Sequence, residues 1–148
     1  MSTVRLVIDP HAPDHSKLFV QTALDLYNVA TTGLDAYHPV ALFLKQEHEE
    51  IVGGLLGDIW GAWLHVTYLW VVAPLRHQGY GSRLLRAAEQ YAKERGCQQV
   101  HLETFSFQAR PLYEKHGYTV FGQLDECPPG HTKYFLRKRL GAPDPDHA

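Results

Sequence analysis

The sequence predicts an α/β (α+β) fold built on a mixed central sheet of about seven strands flanked by about four helices. The main observation is the stretch from Leu69 to Ser82, where β-forming residues are cut by Pro74, turn through two glycines and continue as a helical pattern. Three β-forming stretches between Val40 and Val72, separated by short polar or glycine turns, further predict an antiparallel meander.

The predicted elements follow the order β-α-α-β-β-β-α-β-α-β-β. Strands are expected at Thr3–Asp9, Val40–Gln46, Ile51–Trp60, Ala62–Val72, Val100–Thr104, Tyr118–Leu124 and Lys133–Leu140. Helices are expected from a cap at Asp14 or Ser16 to about Ala30, as a short segment within Thr31–Pro39, and over Ser82–Arg95 and Gln108–His116. The fourth strand is apolar on both faces, so we expect helices to cover it on both sides. The fifth follows a strand and a helix, which predicts that it lies parallel to the fourth.

Length and charge limit the classes of protein. The 148 residues predict one domain over 1–140, with a disordered tail at 141–148. A net charge of -2 without a basic stripe argues against a nucleic-acid partner. The chain has no apolar signal core and no run of the ~20 apolar residues that a membrane helix needs, so we expect a cytoplasmic protein that does not contact membranes.

Cysteines and histidines predict neither a disulfide framework nor a metal centre. Cys97 and Cys127 are too few for either and are expected to be free thiols. Nine of the ten histidines, all except His65, show no metal-ligand spacing on a common element, so no metal is expected.

A glycine-bearing turn that leads directly into a helix leaves backbone N–H groups unpaired at the positive end of the helix dipole. Such a turn is a site for phosphate. The pattern here is Arg76-x-x-Gly79-x-Gly81. A nucleoside-triphosphate loop would have a lysine after Gly81, and a dinucleotide fingerprint would have a third glycine where Leu84 stands.

In this pattern the sequence resembles the GNAT superfamily of acyl-CoA-dependent N-acyltransferases, whose pyrophosphate loop reads Arg/Gln-x-x-Gly-x-Gly/Ala. A second stretch, Ser106-x-x-Ala109-x-x-x-Tyr113-x-x-x-Gly117-Tyr118, is similar to the family's Asn-x-x-Ala-x-x-x-Tyr-x-x-x-Gly-Phe. Ser106 and Tyr118 depart from it, replacing Asn and Phe. The order of elements also resembles that of the family, so the resemblance covers nearly the whole chain and implies the GNAT fold.

The resemblance implies that acetyl-CoA is the co-substrate. The main-chain groups of Leu69 and Val71 would hold the thioester carbonyl, and Ser106 would face the pantetheine arm. His77 would contribute its backbone more surely than its ring, and Arg76 would either pair with a phosphate or stay exposed. The residues expected at the pyrophosphate are Arg76, His77, Gln78, Gly79, Tyr80, Gly81 and Ser82.

The resemblance also implies an acid for the leaving thiolate. Tyr113 stands where the family places a tyrosine whose hydroxyl faces the CoA sulfur. A phenol of pKa ~10 stays protonated at neutral pH and can donate to a thiolate. The alternative is a core aromatic residue whose hydroxyl is bonded elsewhere.

An amine acceptor must lose a proton before it can attack. A primary amine of pKa ~10.4 is about one part in a thousand neutral at pH 7.4, so a base is needed. His65 is the first candidate because it lies on the fourth strand, where alternation predicts that it shares a face with Leu69 and Val71. Glu103 on the fifth strand, or water alone, could replace it.

The expected reaction is acetyl transfer to the primary amine of a small molecule by direct attack in a ternary complex, since neither cysteine is placed for an acyl-enzyme. Tyr27 and Tyr37 are expected to line the acceptor pocket, with His131 as a further contact. A protein or peptide amine, a catalytically silent CoA-binding module and a different nucleotide ligand are the alternatives. An exposed strand edge near the C-terminus suggests a homodimer.

Overall fold

A computed structural model describes residues 2–35 and 37–141, so most of the predicted tail lies outside the described residues. The chain divides into two compact units at the boundary between residues 36 and 37. The smaller unit holds helix α1, Asp14–Thr32, which begins after Pro13 with no side-chain cap and ends at Gly33, whose φ of 70° is left-handed. Asp14 is therefore the first helical residue and not the cap that was expected.

Two predictions for the smaller unit are wrong. Residues 2–9 alternate in polarity but form no strand. Alternation predicts which face of a strand would be buried, but a strand also needs a neighbouring strand to pair with, and alternation does not specify one. The short helix expected within Thr31–Pro39 is also absent from the described residues, where α1 simply runs on to Thr32.

The larger unit is a six-stranded mixed sheet with two helices. It contains β1 (His38–Lys45), β2 (Ile51–Trp60), β3 (Trp63–Val71), α2 (Tyr80–Glu94), β4 (Gln99–Phe105), α3 (Arg110–Lys115), β5 (Thr119–Asp125) and β6 (Thr132–Arg139). The strand order is β1-β2-β3-β4-β6-β5, and only β3 and β4 are parallel to each other. The fold class, the meander and the parallel pair are confirmed, with six strands and three helices in the described chain instead of seven and four.

One face of the sheet carries the core. Leu55, Leu64, Val100, Leu102 and Leu136 are fully buried there together with residues of α2. The buried residues of α2 are Leu84, Leu85, Ala88, Glu89 and Ala92. No helix among the described residues is long and apolar enough to cross a membrane.

A β-bulge at Thr67 divides β3 into two halves. Leu56 lies opposite Tyr68 and Gly57 lies opposite Val66, so Thr67 is the extra residue. The extra residue reverses the alternation of side chains in the second half of β3. Leu69 lies opposite the buried Leu55, which places its side chain on the core face. The prediction that His65 shares a face with Leu69 and Val71 is therefore wrong, since a period of two cannot register an inserted residue.

The bulge also exposes part of β3. Tyr68 and Trp70 lie on the face opposite the core and keep 69% and 51% of their surface exposed. The expectation that helices cover this strand on both sides is therefore not met in its second half.

Candidate active site

The parallel strands β3 and β4 separate halfway along their length. They pair only where Trp63 to Val66 lie beside Gln99 to Leu102, and beyond that point β3 follows β2 while β4 follows β6. The gap opens into a cavity of about 120 Å³. Its lining consists of Val66, Thr67, Tyr68, Leu69, Glu103, Thr104, Gln108, Ala109 and Tyr113.

Main-chain groups of β3 face this gap. The N–H of Val72 donates to the carbonyl of Val52 at 2.8 Å, and hydrogen-bonded positions alternate along an antiparallel pair. Trp70 therefore bonds toward β2, whereas the N–H and C=O groups of Leu69 and Val71 point away from β2 to the side where β4 has left. The carbonyl of Val71 accepts a hydrogen bond from Nε of Arg76 at 2.9 Å.

The loop after β3 ends at an open helix N-terminus. Gly79 adopts a left-handed φ of 86°, a conformation that favours glycine, and no side chain caps the helix. Helix α2 begins at Tyr80, two residues earlier than predicted. The N–H of Arg83 donates to the carbonyl of Gly79, so the N–H groups of Tyr80, Gly81 and Ser82 come before the first N–H that has an acceptor within the helix. This is the anion-binding geometry that the sequence predicted.

Side chains of the same loop brace it internally. Arg76 bonds to Val71, and Nε2 of Gln78 donates to the carbonyl of Pro74 at 2.9 Å. The Ser82 hydroxyl lies 2.8 Å from Nε2 of His116, whose pKa is lowered by burial. His77 has a left-handed φ of 62°. Side-chain hydrogen bonds of Arg76, Gln78 and Ser82 thus hold this segment in shape.

Tyr113 enters the cavity from α3. The residue is buried, with 6% of its surface exposed, and burial raises the pKa of its phenol to about 12. Among the described residues its hydroxyl has no hydrogen-bond partner. The alternative of a core tyrosine bonded elsewhere therefore finds no support, and the phenol is free to donate into the cavity.

His65 and Glu103, the two competing candidates for the base, form one pair. Nε2 of His65 lies 2.9 Å from Oε2 of Glu103, and the two side chains are 32% and 28% exposed. They come from adjacent strands, because β3 and β4 are still in register at this level. Glu103 belongs to the cavity lining, whereas His65 does not.

A third residue, His101, adjoins the pair and was not anticipated from the sequence. Its ring stacks on that of His65, with centroids 4.2 Å apart and planes 5° from parallel. Ligating atoms of His65, His101 and Glu103 lie within 4.8 Å of one another, which is a donor set that transition metals use. Because stacked parallel rings share no plane, one ion cannot lie in the plane of both imidazoles as they are arranged.

The other predicted contacts lie apart from the cavity lining. Ser106 accepts the N–H of Thr132 at 3.0 Å, and its hydroxyl lies 3.5 Å from Nδ1 of His131. These two residues thus tie the end of β4 to the loop before β6 and are not in the cavity lining. Tyr37 packs on Trp60, with centroids 5.4 Å apart, at the end of the sheet away from the loop that follows β3. Tyr27 lies on α1 in the smaller unit.

The structure also explains one departure from the family pattern. Tyr118 is not a simple replacement for phenylalanine, since its hydroxyl donates to Oε2 of the buried Glu89 at 2.7 Å. Lys138 donates to the other carboxylate oxygen at 2.8 Å. The only sequence signal for this network was an acidic residue on the apolar side of α2.

The central strands of the sheet thus separate partway along, and the loop after β3 ends at an open helix N-terminus. The chain belongs to the GNAT family: residues 8–118 match the family described as Acetyltransferase (GNAT) family. The family predicted from the two motifs is thereby confirmed.

Individual relatives agree with this assignment. The chain is 43% identical over 101 residues to a blasticidin-S acetyltransferase from Streptomyces morookaense, covering 68% of this chain and 74% of the relative. It is 29% identical over 137 residues to an acetyltransferase from Agrobacterium fabrum, covering 93% of this chain and all of the relative. A crystal structure of an acetyltransferase from Bacillus cereus aligns with a TM-score of 0.77 at 36% identity, covering 90% of this chain and 98% of that chain.

Proposed function

We propose that this protein transfers acetyl from acetyl-CoA to the primary amine of a small molecule, by direct attack in a ternary complex. The observation that carries the proposal is the cavity between β3 and β4, which has the Tyr113 phenol and the Glu103 carboxylate in its lining, together with the open helix N-terminus at the end of the loop that follows β3. These groups are the acid, the base and the anion site that the reaction requires.

The diphosphate of the co-substrate binds at the start of α2. The N–H groups of Tyr80, Gly81 and Ser82 donate to phosphate oxygens, and the helix dipole adds to their attraction. The backbone from Arg76 to Gly79 completes the loop. The thioester then extends along β3, where the outward-facing main-chain groups of Leu69 and Val71 polarise its carbonyl.

The transfer step exchanges two protons. The amine nitrogen forms a bond to the acetyl carbon, and the carbon–sulfur bond breaks with its electron pair leaving on sulfur. Tyr113 donates its hydroxyl proton to that thiolate. The pair of Glu103 and His65 takes the proton from the amine, so that the carboxylate faces the cavity and the imidazole stabilises the transferred charge.

A covalent acyl-enzyme is not part of the proposal. Cys97 is 5% exposed, and burial raises the pKa of its thiol, which suppresses the thiolate needed for attack. Cys127 lies in the loop before β6, outside the cavity lining. Direct attack by the amine needs neither thiol.

A small acceptor is supported by the relative that acts on blasticidin S. Blasticidin S is therefore the first acceptor to test. The experiment follows thiol release from acetyl-CoA with purified protein and a panel containing blasticidin S, other small amines and lysine peptides. Turnover with small amines alone supports the proposal, turnover with peptides alone replaces the acceptor class, and no turnover despite acetyl-CoA binding identifies a silent CoA-binding module.

Thermal shift supplies the matching binding control. Acetyl-CoA and CoA should raise the Tm, whereas ATP and NAD at the same concentration should not, because only a ligand that binds the folded protein stabilises it. Equal stabilisation by ATP or NAD would assign the loop to another nucleotide.

A further inference from the structure

The imidazole of His101 has no role in the proposed reaction, yet it packs directly against His65 of the proposed base. His65 and His101 lie opposite each other in the parallel pair of β3 and β4. Their rings stack at 4.2 Å between centroids, and Trp63 contacts His101 edge-on at 5.5 Å. His101 thus contacts both the indole of Trp63 and the face of the His65 ring.

We propose that His101 is a positioning residue for His65, which fixes the plane of that imidazole so that its Nε2–H stays on Glu103, the carboxylate that receives the acceptor's proton. This inference deepens the proposed function and rests on it for the direction of proton flow. The geometry that carries it is the near-parallel stack together with the 2.9 Å contact between His65 and Glu103.

The contact with Glu103 selects the tautomer of His65. An ionised carboxylate can only accept a hydrogen bond, so Nε2 of His65 donates its hydrogen to Oε2 of Glu103. The lone pair of the neutral ring then lies on Nδ1. Rotation of the ring about its Cβ–Cγ bond would break the bond to Glu103, and the flat face of His101 opposes that rotation.

Neutrality of His101 favours this arrangement. Burial lowers the pKa of His101, and the neighbouring His65 lowers it further, while Glu103 acts in the opposite direction. The other charged groups opposite the stack are Asp58 on β2, facing His65, and Arg137 on β6, facing His101. Protonation of His101 is therefore disfavoured, which suits a residue whose role is to stack on His65.

The test uses two variants of the full chain. His101→Phe keeps a flat ring that cannot titrate, and His101→Ala removes the ring. Long-range ¹H–¹⁵N correlation spectra of the histidine side chains report the tautomer of His65 without any need for turnover. We expect the Nε2–H tautomer in wild type and in His101→Phe, and a mixture of tautomers in His101→Ala. A single unchanged Nε2–H tautomer in His101→Ala would overturn the proposal.

Kinetics supply the second readout once an acceptor is known. We expect His101→Ala to lower kcat by roughly ten-fold with the KM for acetyl-CoA unchanged, and His101→Phe to restore kcat to within about three-fold of wild type. A His101→Phe enzyme as slow as His101→Ala would overturn a positioning role and assign proton transfer to His101 itself. Because the tautomer is measured on resting protein, failure of acetyl transfer leaves this test intact.

Discussion

Nε of Arg76 lies 2.9 Å from the carbonyl oxygen of Val71, so the first residue of the phosphate-loop motif is tied back to the last residue of β3. The guanidinium thereby links the proposed thioester site to the proposed diphosphate site. A charged donor contributes about 1.5–3 kcal/mol to such a hydrogen bond. The spacing between the end of β3 and the phosphate loop thus depends on a side chain, and not only on the two glycines.

Replacement of Arg76 tests whether this link or the positive charge matters. Arg76→Ala should raise the KM for acetyl-CoA by roughly ten-fold, because loss of the bond to Val71 loosens the loop, while kcat at saturation changes less. Arg76→Lys is the matched control, since it keeps the charge without the guanidinium Nε. A lysine variant with wild-type KM would show that charge alone is sufficient.

Removal of the Tyr113 hydroxyl should slow the chemical step without destabilising the fold. The hydroxyl has no partner among the described residues, so Tyr113→Phe breaks no hydrogen bond there. The loss of the acid should lower kcat by ten-fold or more. Thiol release at saturating acetyl-CoA measures kcat, and chemical denaturation measures stability. Wild-type turnover in Tyr113→Phe would remove this residue from the mechanism.

Removal of the Tyr118 hydroxyl should instead destabilise the fold and leave acetyl-CoA binding unchanged. Its hydroxyl donates to the buried carboxylate of Glu89, which also binds Lys138. Tyr118→Phe should therefore lower the free energy of unfolding by about 1–3 kcal/mol, because one acceptor of a buried carboxylate is left without its donor. The KM for acetyl-CoA should stay the same. Urea denaturation is the measurement, and unchanged stability would mean that Lys138 alone satisfies Glu89.

Tyr113 and Tyr118 also illustrate what the sequence could predict. Motif spacing and hydrophobic periodicity identified the fold class, the parallel pair of strands and the loop before α2, because these features are local in the chain. Which tyrosine hydroxyl has a hydrogen-bond partner depends on the position of Glu89. Glu89 lies 29 residues before Tyr118 in the chain, so no local sequence pattern encodes their contact.

The base cluster shows the same limit for a different reason. His65 and Glu103 were named separately, and only the register of β3 and β4 brings them to 2.9 Å and adds His101. The bulge at Thr67 then changed the face of every later residue in β3. Register and bulges are set by tertiary pairing, so the alternation of side chains could not reveal them.

Acid should destabilise the fold in part through His116. Burial lowers the pKa of this side chain below its usual 6.5, with Arg86, Lys138 and Lys115 acting in the same direction and Glu89 opposing them. The unfolded chain therefore binds a proton more readily than the folded chain, and the stability contribution of the neutral imidazole is lost as pH falls from about 6.5 toward the lower folded pKa. Below that pKa the difference levels off.

Comparison with a non-titrating variant isolates this effect. The free energy of unfolding of wild type and of His116→Gln should be measured by urea denaturation between about pH 8 and pH 5. We expect wild type to lose more stability than His116→Gln below pH 6.5, since glutamine can still contact the Ser82 hydroxyl, which lies 2.8 Å from Nε2 of His116, without taking up a proton. Parallel curves for the two proteins would show that another group causes the acid sensitivity.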